Sequence, residues 1–221
     1  MTKTNTIVTD TYGVNWCYIK IPRTASKAYT SLFDEEFGDN LKKNKYYPIG
    51  HAPHFSLRNQ LESSTKYFSV VRHPVTRFAS CLRYIFQRQY TYLKDVIPHD
   101  TIHNMSSFLY EAFDRNCKPQ SKANKLLVSE LHWFLPGFFK TQVFWLGNDD
   151  IKIFKYENLK EFNDWISTNF QININKLEHI NSIEVDNLHH LDFNDKEFTI
   201  LVEHLFHEDF ITFNYPLTYI T

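Results

Sequence analysis

Two short segments of this chain concentrate the cations and hydroxyl groups that bind anions. The first covers residues 21–33, IPRTASKAYTSLF, where a predicted strand runs into a predicted helix. Its polar side chains belong to Arg23, Thr24, Ser26, Lys27, Thr30 and Ser31. The first N–H groups of a helix have no intrahelical partner and readily bind an anion. The segment therefore indicates an anion-binding loop, although a helix capped by Ser26 with solvated charges fits the same residues.

The second segment, residues 70–83, carries a similar set of groups behind another predicted strand. Arg72 ends the strand, and Ser80 follows eight residues later, about two helical turns further on. In a helix, Arg77, Ser80 and Tyr84 share one face opposite an apolar stripe, so we expect them to project away from the core. Arg72 and Ser80 together would bind a second anionic group, although a solvent-facing polar stripe would show the same spacing.

The elements that position these segments alternate along the chain. The patterns predict strands at 16–21, 45–49, 66–71, 141–146 and 151–155. They predict helices at 27–37, 55–61, 103–115, 121–134, 158–169 and 195–206, and a further helix that Pro74 opens. This order is typical of an α/β fold with a mainly parallel sheet and helices on both faces. In such sheets ligands bind at the carboxyl ends of the strands, where both polar segments fall.

The composition limits what the chain can do. It contains five glycines, whereas average usage predicts about fifteen, so the glycine-rich nucleotide loops are absent. Its 24 Lys and Arg balance 25 Asp and Glu, so the chain lacks the overall positive field of a nucleic-acid-binding protein. The length and the 43% hydrophobic content predict a single domain over 1–221.

Cysteine usage and the lack of long apolar segments indicate the compartment. The cysteines, Cys17, Cys81 and Cys117, are odd in number and far apart, which argues against disulfides and against a zinc site. The sequence has no apolar region at its N-terminus and no stretch of about 18 apolar residues, so we expect no membrane partner. These patterns predict a cytoplasmic protein without a metal and leave the oligomeric state open.

Taken together, the two segments resemble the nucleotide-binding motifs of sulfotransferases that use 3′-phosphoadenosine 5′-phosphosulfate (PAPS), most closely the carbohydrate (heparan/uronyl-type) branch. In that family PKTGGTS binds the 5′-phosphosulfate and RDPVxRFxS binds the 3′-phosphate. Residues 22–28, PRTASKA, match the first motif, and residues 72–80, RHPVTRFAS, match the second with the Arg-to-Ser spacing intact. Weaker matches are IGH at 49–51, IFKYENL at 153–159 and HEDFITFNY at 207–215.

The resemblance implies a sulfotransferase-type, P-loop-like α/β fold. It also implies in-line transfer of a sulfuryl group from PAPS to a hydroxyl of a carbohydrate or similar small acceptor, with PAP as the product and no metal. The residues that it places on the donor are Arg23, Thr24, Ala25, Ser26, Lys27, Ala28, Arg72 and Ser80. Among them, Arg23 and Lys27 would stabilise charge on the leaving oxygen.

The acceptor hydroxyl must lose its proton as it attacks, and a base with a pKa near neutrality suits this task. His51 follows the strand predicted at 45–49 and matches the position of the base in the uronyl branch. His54, Glu35 and Glu36 are the alternatives. The candidate contacts to the acceptor itself are His54, Arg77 and Tyr84.

Three departures from the family's first motif bear on this function. Ala25 and Ser26 replace glycines, so we expect a narrower choice of backbone conformations around the phosphate. Arg23 replaces the usual lysine, and a guanidinium is a poor proton donor. A non-catalytic PAP(S)- or glycan-binding protein on the same fold is therefore an alternative. A P-loop-type kinase is disfavoured because no GK[ST] sequence or Mg²⁺-binding aspartate follows the loop.

Overall fold

The computed structural model describes residues 5–38, 42–44, 53–84, 140–147, 150–179 and 196–219. The chain packs into two compact units. The first comprises Met1–Arg72 and Gln142–Ile183, and the second comprises His73–Thr141 and Glu184–Thr221. The single domain expected over 1–221 stays a prediction. No helix among the described residues is both long enough and apolar enough to cross a lipid bilayer.

Within the described residues, the first unit is built on a mixed sheet of five strands. They are β1 (Asn5–Thr9), β2 (Asn15–Ile19), β3 (Lys42–Asn44), β4 (Lys66–Val71) and β5 (Ile151–Lys155), in the order β3-β1-β2-β4-β5. β4 pairs parallel with β2 and with β5, whereas β1 pairs antiparallel with β2 and with β3. The α/β class is therefore confirmed, while the sheet is only partly parallel.

Helices flank this sheet and form the described part of the second unit. In chain order they are α1 (Ser26–Phe37), α2 (His54–Arg58), α3 (74–84), α4 (Gln142–Leu146), α5 (Leu159–Phe170), α6 (Lys196–Leu205) and α7 (His207–Thr212). Short 3₁₀ helices at Tyr156–Asn158 and Ile174–His179 flank α5. Of these helices, α3, α6 and α7 belong to the second unit.

Large aromatic side chains form the core of the first unit. Tyr18 of β2 and Phe68 of β4 stack with 5.0 Å between their ring centroids, and both rings contact Phe162 of α5. Phe33 of α1 packs against the same pair. All four side chains are fully buried, and burial of each contributes about 1.5–3 kcal/mol. α1 and α5 therefore cover one face of the parallel strands.

The opposite face carries the alternate residues of the same strands. Tyr67 precedes Phe68 and so points to the other side of the sheet. There the ring of His54 in α2 meets the Tyr67 ring edge-on, with 4.3 Å between centroids. Helices therefore lie on both faces of the sheet, as the alternation of elements predicts.

Most of the predicted elements are present in the structure, and one prediction is wrong. β4 and β5 have the predicted bounds, and α1 and α5 agree with prediction within one residue at each end. The strand predicted at 141–146 is instead the helix α4, because its buried positions follow helical rather than alternating spacing. Those positions are Gln142, Val143, Trp145 and Leu146. β1 is a strand that the sequence pattern does not predict, and the elements predicted at 45–49, 103–115 and 121–134 lie outside the described residues.

Aromatic packing also holds the described part of the second unit together. Phe78 of α3 stacks on Phe198 of α6 with 5.9 Å between ring centroids and lies 5.1 Å from the ring of Phe206. The buried carboxylate of Glu203 in α6 accepts the backbone N–H of Thr218 at 2.6 Å. This hydrogen bond ties the end of the described chain to α6.

Candidate anion-binding site

The loop between β2 and α1 contains two strained residues. Arg23 and Ala25 have φ angles of 68° and 62°, which lie in the left-handed region. For a residue other than glycine this conformation costs about 1–2 kcal/mol, and such outliers cluster at functional sites. Ala25 therefore adopts a glycine-like conformation in spite of its methyl group.

The rest of the loop leaves the start of α1 open to a ligand. Thr24 is fully buried, and its hydroxyl donates to the carbonyl oxygen of Ile21 at 3.0 Å. The N-cap of α1 is Ala25 rather than Ser26, and no side chain among the described residues caps the helix. The N–H groups of residues 26–28 are those that a helix leaves without an intrahelical acceptor. The positive end of the helix dipole lies at the same place and favours an anion.

The side chains that the sequence assigns to donor binding in α1 differ in exposure. Lys27 is exposed, so its ammonium group can reach a ligand in solvent. Ser26 is buried, and Ala28 packs in the hydrophobic core. Ser26 and Ala28 can therefore contribute through their backbone N–H groups, while Lys27 contributes its charge.

Arg72 brings a second cation to the loop. Because β2 and β4 run parallel, with Ile19 opposite Ser69, their carboxyl ends lie side by side. The guanidinium of Arg72 donates through Nη1 to the carbonyl oxygen of Arg23 at 3.4 Å. It also lies over the ring of Tyr156, 4.3 Å from the centroid. Loops that follow β2, β4 and β5 therefore meet at one edge of the sheet.

Gln142 and Tyr156 are contributors to this site that the residue patterns do not assign. The fully buried Gln142 accepts the backbone N–H of Arg72 through Oε1 and donates through Nε2 to the carbonyl oxygen of Arg72, both at 2.8 Å. The sequence pattern predicts a strand at 141–146, and this prediction gives no indication that Gln142 contacts Arg72. Tyr156 carries a usable signal, because it directly follows a strand of a parallel sheet and belongs to the YENL match.

Two buried ionisable groups of the first unit, Tyr29 and Cys17, stay neutral at neutral pH. Burial raises the pKa of Tyr29, and the nearby Tyr156 raises it further. The hydroxyl of Tyr29 donates to Oδ1 of Asn163 at 2.7 Å. Burial raises the pKa of Cys17 in β2 to about 12, although Lys20 acts in the opposite direction. Neither the phenol nor the thiol therefore opposes the positive charge of the loop.

The groups predicted as proton acceptors are not part of the described loop. His51 lies outside the described residues. His54 is 2% exposed and packs on Tyr67 near the amino end of β4. Glu35 and Glu36 lie in the last turn of α1, about 14 Å along the helix from its start. The structure thus places the three alternatives to His51 away from the start of α1.

Arg77, Ser80 and Tyr84 lie on α3 in the second unit. Ser80 and Tyr84 are half-buried. The prediction that Arg77 projects away from the core is wrong, because Arg77 is fully buried and donates through Nη1 to the carbonyl oxygen of Lys140 at 3.1 Å. Its guanidinium also lies 5.8 Å from the ring centroid of Phe206. The complete burial of Arg77 argues against direct contact with an acceptor.

The ligand of the loop has to be inferred from its own chemistry. Among the described residues, no group of three or more His, Cys, Asp or Glu is arranged to hold a metal ion. Comparison of the chain with models of protein families, with curated proteins and with solved structures finds no significant match. An open helix start beside Lys27 and Arg72 is suited to a small molecule that carries phosphate or sulfate groups.

Proposed function

We propose that this chain is a PAPS-dependent sulfotransferase, which transfers a sulfuryl group to a hydroxyl of a carbohydrate or similar small acceptor. The observation that carries the proposal is the pair of left-handed residues, Arg23 and Ala25, in a strand-loop-helix whose sequence resembles the family's phosphosulfate motif. Strain of this kind persists where a loop has to hold a special shape. The proximity of Arg72, the first residue of the second motif, supports the same function.

The residues present fit a phosphosulfate group. Left-handed residues in a turn are typical of the anion-binding concavities formed by successive backbone N–H groups. The open start of α1 adds N–H donors, and Lys27 adds an exposed charge. Arg72 adds a planar guanidinium, which binds phosphate with two parallel hydrogen bonds. The donor set thus supplies N–H groups and cations, which are the partners that a dianion requires.

The described residues then have distinct tasks in the transfer. Bound PAPS would supply the sulfuryl group and, as PAP, would keep the electron pair of the broken S–O bond. Lys27 and the N–H groups at the start of α1 stabilise negative charge on the leaving oxygen, the kind of interaction that lowers the barrier of group transfer most. Arg72 binds an anionic group of the nucleotide and so fixes its position. In the assignment from sequence, His51 removes the proton of the acceptor hydroxyl as its oxygen bonds to sulfur.

Calorimetry with PAP and ATP tests the donor site. We expect PAP to bind the wild type more tightly than ATP, which lacks a 3′-phosphate. Arg72→Ala should weaken PAP about 10- to 100-fold, as expected when hydrogen bonds from a charged group are lost. Arg58→Ala is the matched control, because Arg58 is exposed at the end of α2, and it should leave affinity unchanged. Equal affinity for PAP and ATP, or an Arg72→Ala variant that binds like the wild type, would contradict the proposal.

A transfer assay separates an enzyme from a binding protein. The chain is incubated with PAPS labelled in its sulfuryl group and with a panel of glycans, and labelled product is measured. Lys27→Ala should lower the rate about 100- to 1000-fold, the range seen when one donor to a developing negative charge is removed. Lys66→Ala, an exposed lysine at the amino end of β4, is the control. Tight PAP binding without transfer to any glycan would favour the non-catalytic alternative.

A further inference from the structure

Arg72 lies one residue beyond the end of its strand. The pairing of β4 with β5 ends at Val71 opposite Lys155, and the pairing of β4 with β2 ends at Ser69 opposite Ile19. At position 72 the side-chain amide of Gln142 takes the place of a neighbouring strand. It accepts the backbone N–H and donates to the carbonyl oxygen of the same residue. Gln142 therefore extends the hydrogen bonding of the sheet to the residue whose guanidinium faces the loop.

The geometry of the two hydrogen bonds makes this contact specific. Both are 2.8 Å long, and the side chain of Gln142 is fully buried, so water does not reach its amide. An amide matches a backbone unit because it carries one acceptor and one donor side. No other uncharged, non-aromatic side chain of this length offers both.

The guanidinium of Arg72 donates a longer hydrogen bond to the loop than the two hydrogen bonds that hold the Arg72 backbone. Its hydrogen bond to the carbonyl oxygen of Arg23 is 3.4 Å long, and the ring of Tyr156 supports one of its faces. A guanidinium held in this way depends on a fixed backbone, because a long side chain otherwise loses much freedom when it binds a ligand. Preorganised groups bind more tightly because this loss has already occurred on folding.

We infer that Gln142 is a positioning residue for Arg72, which holds the arginine ready for an anionic group of the donor. This inference rests on the proposed function for the identity of the ligand. It assigns Gln142 no contact with the donor. The effect of Gln142 on binding therefore has to pass through Arg72.

A double-mutant cycle on PAP affinity tests this route. Gln142→Met keeps the length of the side chain and removes both hydrogen bonds. We expect it to weaken PAP about 3- to 10-fold in the wild-type background, the range for immobilising one long side chain. In the Arg72→Ala background the same substitution should change affinity less than about 1.5-fold, because residues that act through one another are not additive. Equal losses in both backgrounds would overturn the inference.

A control separates positioning from general loss of stability. Asp10→Ala removes hydrogen bonds at the amino end of β2, far from Arg72, and should destabilise the protein while leaving PAP affinity unchanged. If Gln142→Met does not fold, Gln142→Asn takes its place. Its amide is one methylene too short to make both bonds to Arg72, so it should reproduce the loss of affinity in a milder form.

NMR of the protein without nucleotide gives a readout that does not depend on PAP. The Nε–Hε signal of Arg72, assigned by its disappearance in Arg72→Lys, should show an ordered side chain in the wild type. Gln142→Met should make that group mobile on the nanosecond timescale, and Asp10→Ala should not. An Arg72 side chain that stays as ordered in Gln142→Met as in the wild type would overturn the inference. If PAP fails to bind the wild type, the proposed function fails, and this signal still decides the role of Gln142.

Discussion

The chain changes direction at both ends of β2, but the two turns differ in the residues that they place in the left-handed region. At the amino end, the turn from Asp10 to Val14 places Gly13 in the left-handed region at φ 80°. At the carboxyl end, the loop before α1 places Arg23 and Ala25 there. The first turn uses the residue that suffers no steric penalty in this region, and the second does not.

The turn at Asp10 also has more side-chain hydrogen bonds to its backbone than the loop before α1. The carboxylate of Asp10 accepts the backbone N–H groups of Tyr12 and Val14 and the indole N–H of Trp16, each at 2.9 Å. At the other end, no side chain among the described residues caps the start of α1. The turn at Asp10 is therefore built for stability, whereas the loop at Ala25 keeps strain and open donors. Such a loop is suited to a ligand rather than to the folded chain alone.

Among the effects on stability expected at the two ends of β2, that of Asp10→Ala is the largest. The substitution leaves two backbone N–H groups and an indole N–H without their acceptor. We expect a loss of about 2 kcal/mol in the free energy of unfolding, since hydrogen bonds to a charged group contribute more than neutral ones. Chemical denaturation of the wild type and the variant measures the difference. A stability equal to that of the wild type would mean that this turn is not the well-satisfied end of β2.

The stability difference between the wild type and Asp10→Ala should depend on pH, and this dependence identifies the carboxylate of Asp10 as the cause of the difference. Burial raises the pKa of Asp10, but hydrogen bonds from Trp16, Val14 and Tyr12 and the charge of Lys66 outweigh this effect, so the pKa lies below its ordinary value of 3.8. A lowered pKa stabilises the folded state fully above the ordinary value and progressively less as pH falls through the folded value. The difference between the wild type and Asp10→Ala should therefore be constant near neutrality and shrink below about pH 3.8.

Gly13→Ala should have a smaller effect of about 1 kcal/mol. A Cβ at this position would meet no atom within 4 Å, so the cost is that of the left-handed backbone, reduced by the lower entropy of the unfolded alanine chain. Chemical denaturation gives the value, and PAP affinity should not change. A loss well above the expected value would indicate a steric contact rather than backbone strain.

Ala25→Gly should have the smallest effect, and the sign is opposite. Removal of the methyl group relieves the left-handed strain, and the greater freedom of glycine in the unfolded chain offsets most of the gain. We expect the protein to become more stable by about 0.5 kcal/mol. PAP affinity should fall about twofold, because a more flexible loop loses more freedom on binding. A clear loss of stability would show that the loop is not strained, and the contrast between the two ends of β2 would disappear.

Local pattern predicts much of the first unit. The buried run at 66–71 and the helical spacing in α1 and α5 give elements whose bounds agree with the structure. The strand-to-helix turn with Arg23 and Lys27 is also visible in the sequence, because a cation-rich turn needs only neighbouring residues. The sequence does not predict the helix α4, because its valine and aromatic residues are typical of strands. Its five residues are also too few for periodicity to distinguish a helix from a strand.

Charge patterns predict less about exposure. Arg77 and Arg72 are both arginines near the start of α3, and spacing places Arg77 on a polar face. The structure buries Arg77 completely and leaves Arg72 half-buried at the loop. The partners of the buried Arg77 are the carbonyl oxygen of Lys140 and the ring of Phe206. Such partners lie far away in sequence, so helical spacing alone does not identify them.

The sequence by itself determines the order of strands and helices and the two segments where cations and hydroxyls gather, because periodicity and turn chemistry act between near neighbours. The tertiary structure decides which of these groups meet. Parallel pairing of β2 with β4 brings Arg72 to Arg23, 49 residues away along the chain. Packing of α4 brings the amide of Gln142 to the backbone of Arg72. These contacts depend on how separate elements bury their apolar faces together, and the strain at Ala25 is sustained by that packing.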